Sequence, residues 1–111
     1  MAAPQTRHQI VLCTCPDETV ARELAGTLVR GRLAACVNII DRVTSVYEWE
    51  GNIETDGEVL LVIKSRADHF DALHDAIVTG HPYELPEIIA VAVDSGSAGY
   101  LEWIDQCLTP S

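Results

Sequence analysis

The apolar positions of this chain fall into short blocks whose period changes from block to block. Gln9-Ile10-Val11-Leu12-Cys13-Thr14 is a brief apolar run of the length of a buried strand. Pro16, Asp17 and Glu18 then give a helix-start signal, with proline at the first position and acids in the first turn. Val20, Leu24, Ala25, Leu28 and Val29 follow at helical spacing, and Gly31 ends the stripe. Ala35 to Ile40 and Val43 to Trp49 read as strand, with Val43, Ser45, Tyr47 and Trp49 on one side and a bend or bulge at Asp41-Arg42. Glu50-Gly51-Asn52 signals a hairpin turn, and the return arm runs from Ile53 to Lys64 with Val59 to Ile63 as its buried part.

Ser65 is placed to cap a second helix, with Asp68 as its capping-box partner. Phe70, Leu73, His74 and Ile77 sit at i, i+3, i+4 and i+7, and Gly80 terminates that helix. His81 to Pro86 is a stiff loop holding two prolines, after which Ile88 to Val93 predicts a buried strand. Tyr100, Trp103, Ile104 and Cys107 mark a short last helix. The order strand, helix, strand, strand, helix, strand plus a C-terminal helix is the α+β, ferredoxin-like split βαβ arrangement: one antiparallel sheet with helices on one face. Its bare face and its long hairpin, about twice the usual strand length, both call for an oligomeric partner.

Composition narrows the function. The chain has 111 residues, enough for one domain, which we place at 8–111 behind a flexible N-terminus at 1–7. Seven Lys and Arg against 17 Asp and Glu give a formal net charge of −10. That sign opposes binding to nucleic acid and to anionic membranes, and no apolar run is long enough to span a bilayer. The first residues have no secretory pattern, so the expected compartment is the cytoplasm, with Cys13, Cys15, Cys36 and Cys107 as free thiols.

Five ordered motifs then resemble one family. Leu12-Cys13-Thr14-x-Pro16-Asp17-Glu18, Leu33-Ala34-Ala35-Cys36-Val37, Tyr47-x-Trp49-x-Gly51, Glu58-x-x-Leu61-x-Ile63-Lys64 and His81-Pro82-Tyr83-x-x-Pro86-Glu87 are similar to the successive motifs of CutA divalent-cation tolerance proteins. Tyr100-Leu101-x-Trp103 resembles the last helix of that family. The resemblance implies a subunit similar in fold to PII signalling proteins, assembled as a homotrimer, with a role in tolerance of copper or another divalent cation. No reaction comes with it, and no catalytic constellation is visible, so an enzyme is not expected.

Copper-binding members of the family use a cysteine at the position of Cys13 and histidines at the positions of Gly80 and His81. Here glycine stands at the first of those two, leaving Cys13 and His81 as a partial site. Cys15 adds a second thiol, but Pro16 is expected to end the strand and break the alternation that would align it with Cys13. Cys36, on another strand, is positioned by the reading to approach Cys13. The plain alternative is that all these thiols are buried and structural. His8 is expected in a frayed terminus, and His69 and His74, five apart, do not share a helix face.

The resemblance further implies an inter-subunit cleft lined by Tyr47, Trp49, Glu58, Lys64 and Tyr83. Two other functions use it: a PII-like sensor binding a small ligand there, and an enzyme working through Lys64 and His81. A metallochaperone of similar fold would carry Cys-x-x-Cys after the first strand, where this chain has Cys13-Thr14-Cys15-Pro16.

Overall fold

The computed structural model describes residues 7–109. Of the expected flexible tail, residues 1–6 lie outside the described residues, while the Arg7 carbonyl accepts the Ala67 N–H at 2.7 Å. The elements are β1 (His8–Cys15), α1 (Glu18–Arg30), β2 (Cys36–Trp49), β3 (Asn52–Arg66), a short 3-10 turn (Ala67–His69), α2 (Phe70–Gly80), β4 (Ile89–Ala92) and α3 (Ala98–Leu108). All pairings are antiparallel, and the sheet order is β2-β3-β1-β4. This is the split βαβ arrangement, so the expected α+β, ferredoxin-like fold is observed.

Alternation along the strands fixes the two faces. Val11, Cys13 and Cys15 on β1 and Val59, Leu61, Ile63 and Ser65 on β3 are buried, and they pack against Leu24 and Leu28 of α1 and Leu73 and Ile77 of α2. The even-numbered residues of β1 and β3 point to the opposite, open face. There α3 covers one end of the sheet: Asp105 meets His8 at 2.9 Å and Arg66 at 3.0 Å, and Ile104 and Leu108 bury against Ala35. His8 is therefore an ordered strand residue rather than part of a frayed end, because α3 supplies its partners.

Three local expectations need correction. Asp17, not a helical residue, is the N-cap of α1; its carboxylate accepts the Val20 N–H at 2.9 Å, which moves the helix start beyond Pro16. Ser65 caps nothing, since β3 continues through it and its buried hydroxyl donates to the Leu33 carbonyl at 2.7 Å. β4 is short and lies at the sheet edge with Ile89 and Val91 about half exposed, so it is not the buried strand its apolar run suggests.

The hairpin arms hold 14 and 15 residues, and the molecule reaches 48 Å along its longest axis against 23 Å along its shortest. Glu50 and Gly51 turn the chain with φ values of 50° and 84°, the left-handed pair a tight hairpin needs. Between Ile40, opposite Leu60, and Val43, opposite Glu58, β2 holds two residues where β3 holds one. Arg42 takes φ 65° at this bulge. The extra residue reverses the alternation of β2, so beyond it the odd-numbered Tyr47 and Trp49 share the open face with Asp56 and Glu58.

Candidate functional site

Two features adjoin where β1 ends. The first is a group of buried donors. β1 stays paired with β3 as far as Cys15, opposite Val59, so the strand does not stop short at Pro16. Cys13 and Cys15 therefore keep the same side, both fully buried. His81 follows α2 directly, its N–H bonded to the Ile77 carbonyl at 2.8 Å, and its side chain is also buried. The two sulfurs and an imidazole nitrogen all lie within 4.8 Å of one another. Cys15 is the member that sequence reasoning set aside; its partner Val59 opens the apolar run of β3, which is one residue longer than that of β1.

The imidazole is pinned from both ends. Nε2 lies 2.8 Å from the Thr14 carbonyl, and the Tyr83 N–H donates to Nδ1 at 3.1 Å. A carbonyl only accepts and an amide N–H only donates, so the proton sits on Nε2. β4 pairs with β1 only as far as Leu12, so the backbone of Thr14 lies past the sheet pairing on that side. The Tyr83 ring packs on the imidazole with centroids 4.7 Å apart.

The thiols ionise unequally. Hydrogen bonding between the two sulfurs holds Cys15 below the ordinary thiol range. The same interaction, with burial and the charges of Cys15, Glu87 and Glu58, pushes Cys13 far above it. Among the described residues only thiols and carboxylates act on this pair, so filling the site means displacing thiol protons with a metal. Two thiols and an imidazole suit soft or borderline ions such as copper(I) and zinc. Zinc bonds of about 2.3 Å to sulfur and 2.0 Å to nitrogen set donor separations of roughly 3.5–3.8 Å in a tetrahedron. The trio fits such an ion after its donor separations close by up to roughly 1.0–1.3 Å.

The second feature is a cleft of about 510 Å³ on the open face, lined by Thr14, Tyr47, Trp49, Asp56, Glu58, Pro82, Tyr83, Glu84, Leu85 and Glu87. The Tyr83 hydroxyl donates to Glu58 at 2.9 Å, and the Tyr47 hydroxyl donates to Asp56. That hydrogen bond, with slight burial and nearby carboxylates, pushes the Tyr47 phenol up to about 12. Burial and the Glu58 contact raise Tyr83 as well. Four carboxylates and no lysine or arginine line the cleft, a setting that repels anions.

Within this one chain the cleft brings together Tyr47, Trp49, Glu58 and Tyr83 of the residues expected between subunits, and Lys64 lies elsewhere. Lys64 shares the face of Glu58 but lies six residues along β3, roughly 20 Å away at the rise of a strand. Its ammonium donates to Asn38 and approaches the Cys36 sulfur at 3.9 Å. Cys36 is Lys64's strand partner, whereas Cys13 pairs with Leu61, so Cys36 is on the opposite face and does not join the buried trio. Lys64 and His81 likewise form no common site. His69 and His74 contact only their neighbours Asp68 and Asp75 and Phe70 among the contacts described. At Gly80, a Cβ would meet Leu24 Cδ2 at 3.0 Å, so the α1–α2 contact favours glycine there.

Comparison with known proteins accounts for this arrangement. The family described as CutA1 divalent ion tolerance protein matches residues 9–107. The human Protein CutA is 50% identical over 93 residues, which are 84% of this chain and 52% of the human protein. The chain thus spans about half the length of the first vertebrate relatives it matches. The divalent-cation tolerance protein CutA of Thermus thermophilus is 44% identical over 97 residues, 87% of this chain and 94% of that one. Among solved structures, CutA1 of Oryza sativa superposes with a TM-score of 0.91 at 40% identity, covering 95% of this chain and 96% of that one. The structure described as the periplasmic divalent cation tolerance protein CutA of Archaeoglobus fulgidus does so with 0.90 at 33%, covering 92% and 99%. With a matching family profile over most of its length and relatives at this level of identity, the chain belongs to the CutA1 divalent ion tolerance protein family.

Proposed function

We propose that this protein contributes to divalent-cation tolerance as a homotrimer that binds a thiophilic metal ion, copper or zinc, through Cys13, Cys15 and His81. The observation that carries this reading is the convergence of two thiols and one imidazole, all buried and within 4.8 Å. Cys15 offers a donor in the neighbourhood where Gly80 gives none. The reading assumes a reducing compartment, the cytoplasm, where both thiols stay free to bind. Assembly is supported by the open edge of β4, by the exposure of Val46 and Ile53 on the projecting hairpin, and by Leu85 at 77% exposure beside the cleft. Apolar side chains exposed on both sides of the hairpin in this way are characteristic of surfaces that meet a partner.

Competition titration of the reduced protein against a chelator, with copper(I) and separately with zinc(II), tests the site. Binding of one ion per chain, weakened at least tenfold in both Cys13→Ser and Cys15→Ser, is the expected result. Affinity that ignores these substitutions would assign the ions to the acidic surface instead. Light scattering at micromolar concentration tests the assembly, and a monomer mass would refute it. A second reading, a sensor of small molecules, draws support from the cleft of Tyr47, Trp49, Glu58 and Tyr83; its carboxylates call for a cationic ligand.

A further inference from the structure

We propose that ion capture at Cys13, Cys15 and His81 reshapes the acidic cleft, because the imidazole that must ligate the ion also holds Tyr83, one of the cleft's walls. This rests on the reading of the trio as an ion site. A neutral imidazole has one N–H and one lone pair. In this structure the N–H on Nε2 faces the Thr14 carbonyl and the lone pair on Nδ1 receives the Tyr83 N–H. A metal needs a lone pair, so only two outcomes exist. If Nδ1 ligates, the ion takes the lone pair that Tyr83 was using, and the Thr14 bond survives. If Nε2 ligates, its proton moves to Nδ1, which then confronts the Tyr83 N–H donor to donor, and both bonds are lost.

Either way the Tyr83 amide loses its acceptor. The inward movement of the donors pulls the same ring from under the Tyr83 side chain, which packs on it at 4.7 Å. Tyr83 reaches from there to Glu58 on β3, 2.9 Å from its hydroxyl, so its displacement alters the width and polarity of the cleft. Thr14 also lines the cleft, and the second outcome frees its carbonyl as well. Occupancy of the buried trio and the shape of the cleft are thus two states of one element, and coupling between them runs in both directions.

Cadmium(II) alone serves as the probe, since its thiolate charge-transfer absorbance reports occupancy without any reaction. The chain has two tryptophans, and Trp103→Phe leaves Trp49, in the cleft, as the sole tryptophan, excited at a wavelength where the tyrosines do not absorb. The expected result is a change in Trp49 emission that saturates at the same cadmium concentration as the charge-transfer band. In the unsubstituted protein, hydrogen exchange at the Tyr83 amide rises roughly five- to tenfold on loading, the effect of one net hydrogen bond. A charge-transfer band with neither Trp49 emission nor Tyr83 exchange altered overturns the linkage and leaves the ion site standing. Absence of the band sinks the ion site, and the linkage with it.

Discussion

His81 holds the loop after α2 even in the ion-free protein, and its contribution can be divided by substitution. His81→Ala removes two hydrogen bonds, to the Thr14 carbonyl and from the Tyr83 N–H, and the tilted packing of the Tyr83 ring. A neutral intramolecular hydrogen bond contributes about 1 kcal/mol net, and a buried group left without a partner costs about 1–3 kcal/mol. Thr14 is buried and its carbonyl would keep only the long, weak contact from the Cys13 thiol at 3.8 Å, while Tyr83 is partly exposed and water can replace the ring nitrogen. The expected loss is therefore about 2–4 kcal/mol, a large share of the roughly 5–15 kcal/mol that holds a domain together. Two further substitutions separate the bonds. His81→Gln reaches the position of Nε2 and can donate to Thr14; His81→Asn reaches the position of Nδ1 and can accept from Tyr83. Because Thr14 is the more buried partner, Gln should recover more stability than Asn. Urea unfolding at one protein concentration, with chelator present, reads all three variants on the same scale; a fixed concentration matters if the protein assembles. A loss below about 0.5 kcal/mol in His81→Ala, or a better rescue by Asn than by Gln, would refute the assignment of His81 as the pin of this loop.

Other outcomes follow from single contacts. Burial alone would push the Asp105 carboxyl up, but hydrogen bonds from Arg66 and His8 outweigh it and hold it below its ordinary value. That stability is present above the unfolded value and is lost as pH falls through the folded one, so it fades below about pH 4. Asp105 is 42% exposed, so screening limits the effect to no more than about 1 kcal/mol, and Asp105→Asn should flatten the acid limb of a stability–pH curve by that much. Gly80→His, which restores a histidine beside His81, should cost about 1–3 kcal/mol in thermal unfolding, because its Cβ lies 3.0 Å from Leu24 Cδ2; an unchanged Tm would show that Leu24 yields freely. Ultraviolet titration should find a tyrosine ionising near pH 12, and Asp56→Asn should bring it down toward the ordinary value of about 10; a titration unmoved by Asp56→Asn would remove the hydrogen bond as its cause.

The fold was largely legible because each element carries its own period. The stripe at Leu24 and Leu28, the glycine turn at Gly51 and the paired runs on β1 and β3 needed no tertiary knowledge to read. What failed depended on neighbours. Pro16 lies just past the last paired residue, so it does not displace Cys15 from the face of Cys13. Ile88 to Val93 looks buried because it is apolar, yet only Ile89 to Ala92 pair, and at an edge. Lys64 is expected in a cleft between subunits; within one chain it shares the face of Glu58 but stands six residues along the strand, a distance the motifs do not contain. His8 finds Asp105 across 97 positions, a contact no local pattern announces.

The bulge at Asp41-Arg42 has a meaning for how this family of shapes can change. Asp41 and Arg42 together stand opposite Val59, so Ile40 and Val43 both face the open side and the surplus residue is absorbed. Deleting one of the two would restore a regular ladder and leave Tyr47 opposite Glu54 and Trp49 opposite Asn52, with both rings still on the cleft side. A deletion between Val43 and Tyr47, where no bulge absorbs it, would instead turn the rings to the other side and bring Val46 and Glu48 in their place. Length can therefore drift at the bulge without touching the cleft wall, whereas beyond it a single lost residue changes the identity of the surface.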